Sequence, residues 1–208
     1  FHNEKGELLI EGLTPTEQDV FELSDEFVKS SLSSNGVELF EMDSYSKRLW
    51  LEPALSILAI DAPPVAESVN LLIPKAKAKV SLRLPPTEDP DHAMNMLEKH
   101  IKENTPFNAN VNFIPEAKGK GILVDPKNEF SSKLIESFNK NWENEVAYMG
   151  VGGSIPCANV FINEFPNSEI VLVGAGDEEG NAHAPNESVN IDDIKRLITS
   201  LTDALSNY

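Results

Sequence analysis

The segment GNAHAPNESVNIDD, residues 180–193, presents a single histidine, His183, among small residues, a proline and acids. It follows the apolar run EIVLVG, residues 169–174, which predicts a buried strand, and loops at the carboxyl ends of strands are where α/β proteins place ligands. A neutral imidazole there is a good metal ligand, which Glu187 or Asn186 could orient. A catalytic zinc site needs about three protein ligands. The remaining histidines lie on other elements (His2, His92, His100), so the alternative is a hydrogen-bonded loop histidine.

A glycine-rich turn, GVGGSIP at residues 150–156, lies between a predicted strand and a predicted helix. Its glycines let the backbone approach a ligand closely. Ser154 is predicted to cap the helix, whose unpaired N–H groups and partial positive charge suit a carboxylate or a phosphate. The turn lacks the lysine and the spacing of a Walker loop. The alternative is an ordinary, well-capped turn without a ligand.

Two polar side chains in a predicted sheet are further candidates. The segment AKAKVSLRL, residues 76–84, alternates apolar and polar positions, which predicts a strand with one buried and one polar face. Arg83 lies on the polar face, where its guanidinium could bind a substrate carboxylate through two parallel hydrogen bonds. Asn70, in SVNLLIP, could add an amide contact. The alternative is a strand surface that faces only solvent.

The elements that would position these residues fall into two groups. Before residue 116, a helix is predicted from Thr14, a second from Asp89, and strands at 54–60, 68–74, 76–84 and 109–114, which together form a small α+β sandwich. The charged, glycine-rich segment 116–121 predicts a boundary. After it, helices are predicted at 130–142, from Ser154 and from Asn190, with strands at 146–150 and 169–174.

Composition excludes several classes of function. A net charge of −17 over 208 residues argues against nucleic acids and anionic membranes as partners, because both need basic patches. A single cysteine, Cys157, excludes an internal disulfide network and indicates a reducing, cytoplasmic compartment. No apolar run approaches the roughly 20 residues of a membrane span, and no signal peptide is visible.

Three groups of segments occur in the order of a known family. RLWLEPALSILAIDAP with SVNLLIPKAKAKVSLRLPPTEDPDHAMNMLEKHI, then GVGGSIP, then GNAHAPNESVNIDD resemble the lid, the substrate-binding turn and the last metal-ligand motif of the co-catalytic zinc metallopeptidases. That family contains carnosinases, bacterial dipeptidases, succinyl-diaminopimelate desuccinylase and aminoacylase. The resemblance runs from about Arg48 to the C-terminus.

The resemblance implies a mixed α/β fold class. Residues 1–115 would be a leading segment and an incomplete α+β lid, or dimerisation domain, with a ferredoxin-like antiparallel sheet and its core at 51–115. Residues 116–208 would be the C-terminal part of an α/β catalytic domain. The lid would pair with a second copy to form a homodimer.

The resemblance also implies roles for individual residues. His183 would ligate one of two zinc ions of a complete active site, with manganese or cobalt as alternative metals. Ser154 and the amides around Gly153 and Ile155 would hold the terminal carboxylate of a small peptide or N-acyl amino acid. Arg83 and Asn70 would bind substrate groups from the lid.

The family's other metal ligands and its general base are not found in this sequence. They come from an HxD motif, a bridging aspartate and a Glu-Glu pair. We therefore expect the C-terminal portion of a dipeptidase-type hydrolase, in which a zinc-activated water attacks an amide carbonyl, and we expect this portion alone to be inactive. The alternatives are a non-catalytic module for homodimerisation or small-molecule binding, which would need neither GGSIP nor HAPNE, and a natural truncated paralogue.

Overall fold

The computed structural model describes residues 1–31, 42–123, 125–150, 155–177, 180–182 and 184–208. The chain forms two compact units. Unit 1 consists of Phe1–Ile122 with Met149–Ser154, and unit 2 of Leu123–Tyr148 with Ile155–Tyr208. The predicted division into residues 1–115 and 116–208 stays a prediction. No helix in the described ranges is both long enough and apolar enough to cross a membrane.

Unit 1 is built on a two-stranded antiparallel sheet with helices. Strand β1 (Ala54–Asp61) pairs with strand β2 (Lys77–Arg83), and a bulge interrupts the register between Ile57 and Ala59. The helices are α1 (Asp25–Ser31), α2 (Tyr45–Trp50) and α3 (Pro90–Glu103). Short 3-10 turns lie at Val65–Glu67 and Pro106–Asn108.

The core of unit 1 lies between the apolar side of this sheet and α3. Leu55 is paired with Leu82, and Ile57 with Val80, so these side chains share one face of the pleat. The buried members are Ile10, Leu55 and Leu97, and the half-buried side chains around them are Leu8, Leu13, Val80, Leu82, Met96, Ile101 and Phe113. Each fully buried leucine contributes about 1.5–3 kcal/mol to burial free energy.

Helix α3 begins where the sequence predicts. The Asp89 carboxylate accepts hydrogen bonds from the backbone N–H groups of Asp91 and His92 at 3.0 and 2.9 Å, and Pro90 occupies the first turn. These bonds satisfy donors that no carbonyl within the helix can reach.

The helix predicted from Thr14 is wrong in its start, because α1 begins at Asp25. Thr16 is instead held by other parts of unit 1. Its backbone N–H donates to the carbonyl of Leu51 at 2.8 Å, and its hydroxyl forms a 2.6 Å hydrogen bond with the hydroxyl of Thr87. These non-local bonds replace the local capping box.

The strands predicted at 68–74 and 109–114 are also wrong. Within the described part of the chain, β1 and β2 have only each other as neighbours, so neither segment has a ladder to join. A 2.7 Å hydrogen bond from the N–H of Leu71 to the carbonyl of Val69 bends the first segment at Asn70. Leu71 and Leu72 are largely exposed as a result.

Gly121 lies directly against the backbone of Pro86. A Cβ added to Gly121 would come within 2.6 Å of Pro86 Cα and 3.0 Å of its carbonyl oxygen. We expect Gly121→Ala to lower the free energy of unfolding by about 1–3 kcal/mol, since backbone cannot yield as a flexible side chain can. Thermal or urea unfolding measures this loss. Gly174→Ala is the control, because its Cβ would meet nothing within 4 Å, and equal losses in both variants would contradict the contact.

The helices of unit 2 in the described ranges are α4 (Glu129–Asn141), α5 (Pro156–Glu164) and α6 (Ile191–Ser206). Helices α4 and α6 pack through small and polar residues. Ser137 Oγ donates to the carbonyl of Ser200 at 2.8 Å, and Trp142 Nε1 donates to Ser200 Oγ at 3.3 Å. The carboxamide oxygen of Asn190 accepts from the N–H of Asp192 at 2.9 Å, which confirms Asn190 as the cap of α6.

The strands predicted at 146–150 and 169–174 are wrong, and the described part of unit 2 contains no strand. The apolar run 169–174 has no neighbouring strand there. A segment with strand-like composition forms a strand only when a partner strand lies beside it. The mixed α/β class is confirmed, and the described residues form a sheet of two strands where a sheet of three or four strands was predicted before residue 116.

Glu169 fixes the start of α4 to the chain segment that follows α5. Its two carboxylate oxygens accept hydrogen bonds from the N–H groups of Phe130 and Ser131 at 3.1 and 3.0 Å and from Ser131 Oγ at 3.1 Å. Partial burial acts to raise the pKa of Glu169, but these hydrogen bonds outweigh it and lower the pKa below its ordinary value of 4.5.

This lowered pKa gives Glu169 a pH-dependent contribution to stability. A carboxylate with a depressed folded-state pKa stabilises the fold fully above its unfolded-state pKa, and that contribution is lost as pH falls through the folded-state value. We expect Glu169→Gln to unfold more easily than the parent at pH 7, with the difference shrinking below about pH 4.5. Urea unfolding from pH 7 to pH 3 measures this. Glu164→Gln, at an exposed carboxylate, is the control, and a pH-independent deficit in Glu169→Gln would contradict the prediction.

Candidate functional site

The loop that contains His183 is closed at its base by backbone hydrogen bonds. The N–H of Ser188 donates to the carbonyl of Gly180 at 2.9 Å, and the N–H of Ala184 donates to the carbonyl of Asn181, also at 2.9 Å. A Cβ on Gly180 would come within 3.2 Å of the carbonyl oxygens of Asp177 and Ser188. The loop is therefore short and closed tightly at Gly180.

Two asparagines in this loop have left-handed backbone conformations, Asn181 with φ 50° and Asn186 with φ 65°. Asparagine tolerates this conformation better than most residues, which explains its presence at both turns. Glu187 is exposed beside Asn186. His183 itself lies outside the described residues, so its role as a metal ligand, and that of Glu187 behind it, stay predictions.

A complete metal centre is not formed by the residues whose positions are described. Among them, no three or more histidine, cysteine, aspartate or glutamate side chains converge in a way that could hold a metal ion. This donor set does not fit a metal centre by itself, and His183 remains the one ligand proposed from the sequence.

The glycine-rich turn leads into α5. Gly153 and Ser154 lie outside the described residues, whereas Ile155 is half-buried and occupies the position that precedes α5. The helix begins at Pro156 with Ile155 rather than Ser154 at its N-cap position, and no side chain caps it. Its first turn carries no acid, so no carboxylate of its own opposes the partial positive charge at this end.

The turn's first glycine, Gly150, lies against Trp50 in unit 1. A Cβ on Gly150 would overlap the Trp50 side chain, coming within 2.6 Å of its Cβ and 2.7 Å of its Cδ1. Only a glycine allows the chain to pass so close to the indole. The sequence identifies the glycine but gives no sign of the tryptophan that requires it.

Arg83 lies at the end of β2, on the polar face of the sheet. Its register partner is Ala54, whose small side chain does not cover the guanidinium, and Arg83 is exposed. The other two arginines are paired, Arg48 with Glu52 at 2.9 Å and Arg196 with Glu143 at 3.3 Å. Across the described ranges, no carboxylate lies within ion-pair distance of Arg83. With respect to the described carboxylates, Arg83 is thus an unpaired guanidinium, in a chain of net charge −17.

The same face of β2 carries Ser81, Lys79 and Lys77. Lys79 forms a 2.6 Å ion pair with Glu116, and Lys77 has Asp61 as its register partner. Lys79 is therefore paired, whereas Arg83 offers its planar fork without a carboxylate partner among the described residues.

Asn70 is exposed at the centre of a tight turn. The hydrogen bond from Leu71 to Val69 encloses this one residue. Asn70 and Arg83 both belong to unit 1, as Gly150 does, whereas Ile155 and Glu187 belong to unit 2. The candidate residues are thus divided between the two units, and their roles in binding substrate stay predictions.

Comparison with known proteins identifies the family. Residues 10–109 match the model of the peptidase dimerisation domain. The whole chain is 26% identical, over 218 aligned positions, to a cysteinylglycine-S-conjugate dipeptidase of Corynebacterium striatum and covers 47% of that protein. The match to the domain begins well before Arg48, where the resemblance in motifs starts.

Two solved structures share the fold. One is the dipeptidase Dug1p of Saccharomyces cerevisiae, with a TM-score of 0.76 and 21% identity over 98% of this chain and 45% of that one. The other is an M20 family metallo-carboxypeptidase of Sulfolobus solfataricus, with a TM-score of 0.69 and 21% identity over 98% of this chain and 49% of that one. This chain spans about half the length of these relatives. It is homologous to the M20 metallopeptidases and carries their peptidase dimerisation domain at residues 10–109.

Proposed function

We propose that this chain is the C-terminal portion of a metal-dependent dipeptidase-type hydrolase that cleaves peptide or N-acyl amide bonds. The observation that carries the proposal is the alignment of the entire chain with a cysteinylglycine-S-conjugate dipeptidase, an enzyme whose name states a dipeptide substrate. In this proposal the protein acts in the cytoplasm. It forms a homodimer through residues 10–109, as the name of the matching domain suggests.

Arg83 is the residue through which unit 1 binds substrate in this proposal. Its guanidinium is exposed, sits beside a small neighbour and has no carboxylate partner among the described residues. The planar fork of N–H donors on an arginine suits an oxygen-bearing polar group of a substrate. Asn70, exposed in its tight turn, adds an amide contact from the same unit.

The terminal carboxylate of the substrate is assigned to the glycine-rich turn. Ile155 supplies a backbone amide at the start of α5, and the first turn of this helix contains no acid. Ser154 and Gly153 are assigned to bind the same carboxylate. Helix N-termini favour anions because their N–H groups are unpaired and the helix dipole is positive there. Arg83 then binds a second polar group of the substrate.

His183 is assigned as a ligand of one zinc ion, and Glu187 is assigned to orient its imidazole. Manganese or cobalt would serve in place of zinc. Two metal ions are proposed for the complete active site. The closed loop from Gly180 to Ser188 supports the assignment, since it holds a short segment by backbone bonds alone. When bound, such a metal supplies Lewis-acid polarisation and a nucleophilic water. The described residues of this chain offer it no complete ligand set.

Hydrolysis assays on two proteins test the proposal. The full-length protein that carries this chain, loaded with zinc, is expected to hydrolyse an S-conjugate of cysteinylglycine, the dipeptide substrate in the name of its relative. The 208-residue chain is expected to show no hydrolysis and near-zero zinc by elemental analysis after desalting. Metal-dependent hydrolysis by the 208-residue chain would contradict its proposed inactivity. A zinc-loaded full-length protein without hydrolase activity would favour the non-catalytic dimerisation module.

A further inference from the structure

We propose that the apolar run 169–174 of unit 2 is a β-strand in the full-length protein, where it pairs with strands from the part of that protein outside this chain. The inference deepens the proposed function and rests on it, because it requires this chain to be one portion of a longer protein. It names the partner of unit 2, which is a β-sheet with a place for one further inner strand.

The first support is the pattern of the run. Its residues 170–173 are all large and apolar, namely Ile170, Val171, Leu172 and Val173. Successive side chains of a strand point to opposite faces, so a strand formed here would be apolar on both faces. That pattern is typical of an inner strand of a parallel sheet, which is covered on both faces. Helices α5 and α6 flank the run in sequence, as in a chain that alternates strands and helices.

The second support is that the run lacks these neighbours in the described part of unit 2. No backbone hydrogen bond joins residues 170–174 to another described residue, and Leu172 and Val173 are exposed. The run contains no lysine and no proline, the residues that commonly protect an unpaired strand from association. An apolar segment with free N–H and carbonyl groups is a ready template for pairing with another strand.

The third support is that both ends of the run are already fixed. Glu169 binds the start of α4 through three hydrogen bonds of 3.0–3.1 Å to Phe130 and Ser131. Beyond the run, the N–H of Gly180 donates to the carbonyl of Asp177 at 3.2 Å. A segment held at both ends loses less conformational entropy when it pairs than a free one does.

The fourth support is the uncovered apolar surface of the two flanking helices. On α6, Ile191, Ile198 and Leu205 recur every seven residues, so they lie on one stripe of the helix, and all three are exposed. On α5, the rings of Phe161 and Phe165 stack with centroids 6.4 Å apart and are also exposed. Helices with such stripes cover the faces of a sheet.

The partner is the remainder of the same protein rather than a second copy of this chain. This chain covers 47% of the Corynebacterium striatum dipeptidase and 45% and 49% of the two solved structures, so each of those proteins contains about as much chain again. Two copies related by a two-fold axis would pair one edge of the run with its equivalent. The other edge and both apolar faces would stay uncovered, which does not suit the pattern of an inner strand.

Hydrogen exchange followed by mass spectrometry, on the zinc-loaded full-length protein and on the 208-residue chain, tests the inference. We expect the amides of residues 170–174 to exchange at least about 100-fold more slowly in the full-length protein, because the bonds of a sheet protect them. The amides of α4, which are bonded within a helix in both proteins, are the internal reference.

Three other exchange results would overturn the inference. Equal exchange of residues 170–174 in both proteins would overturn the strand, and if the full-length protein still hydrolyses the dipeptide conjugate, the proposed function stands. Protection in the 208-residue chain at every concentration would show that no outside partner is needed. Protection that rises with the concentration of that chain would identify a second copy as the partner. Slow exchange in a full-length protein without hydrolase activity would instead reject the proposed activity and support the strand.

A matched pair of variants gives a second, independent measurement. Leu172 and Leu9 are 49% and 50% exposed in this chain, so Leu172→Asp and Leu9→Asp should both leave the unfolding temperature of the 208-residue chain nearly unchanged. In the full-length protein, Leu172→Asp alone should lower that temperature, by more than about 5 °C, because the sheet would bury its charge. Equal unfolding temperatures of the two full-length variants would overturn the inference. Should full-length Leu172→Asp fail to fold, the exchange comparison of the two parent proteins decides.

Discussion

Replacing His183 with alanine in the zinc-loaded full-length protein is expected to remove bound metal and hydrolysis together. A catalytic zinc site has about three protein ligands, so the loss of one is expected to weaken metal binding by more than about 100-fold, since loss of a residue behind a ligand already costs about 10–100-fold. The loop should survive the substitution, because its closing bonds at Gly180 and Ser188 involve only backbone atoms. Elemental analysis after desalting and kcat/KM measure the two effects.

Two controls distinguish metal loss from a general defect. His92→Ala removes an exposed histidine that hydrogen-bonds Glu88 at 2.7 Å in unit 1, and it should leave metal and activity unchanged. Glu187→Gln should give an intermediate loss of metal, on the order of 10-fold, as expected for a residue that only orients a ligand. Full activity in His183→Ala would show that the ligand assignment is wrong.

Helices in this chain were predictable where their ends carry local signals. Asp89 and Asn190 cap α3 and α6 through side-chain bonds to N–H groups two or three residues ahead, and such bonds depend only on neighbouring residues. Thr14 carries the same kind of signal, yet the helix begins only at Asp25. There the bonds from Thr16 to Leu51 and Thr87 decide the backbone, and their partners are 35 and 71 positions away.

Strands were less predictable, because a strand exists only beside another. The alternation in β2 predicts its two faces correctly at Val80 and Leu82, which turn towards the core beside β1. The apolar segments 68–74 and 169–174 also contain β-branched residues typical of strands, but neither has a neighbouring strand among the described residues. The β propensity of a residue measures how well it fits the surface of a sheet. It therefore does not produce a strand where no sheet is present.

In the candidate site too, local motifs were predictable and long-range contacts were not. Motifs drew attention to Arg83, Asn70 and the glycine-rich turn, and the structure shows the first two exposed in unit 1. The packing of Trp50 against Gly150 joins two segments a hundred positions apart. A single sequence contains no signal for such a contact, because many side chains could fill the space above a glycine.

Replacing Arg83 with alanine is expected to raise KM for a dipeptide by about 10–100-fold with a smaller change in kcat. The reason is the loss of charge-assisted hydrogen bonds to a polar group of the substrate, each worth about 1.5–3 kcal/mol. Stability should change by less than about 0.5 kcal/mol, because Arg83 is exposed and has no ion-pair partner among the described residues. Steady-state kinetics and thermal unfolding of the zinc-loaded full-length protein measure the two quantities.

Two further variants on the same strand make this prediction specific. Arg83→Lys keeps the charge but loses the planar fork, so its KM should stay well above that of the parent. Lys77→Ala removes a charge from the same face of β2, where Asp61 is its register partner, and KM should change little. Equal KM values for Arg83→Ala and Lys77→Ala would mean that the strand contributes only a diffuse positive field. A KM that rises for the arginine variants alone would show that one guanidinium, placed by the end of β2 beside Ala54, recognises the substrate.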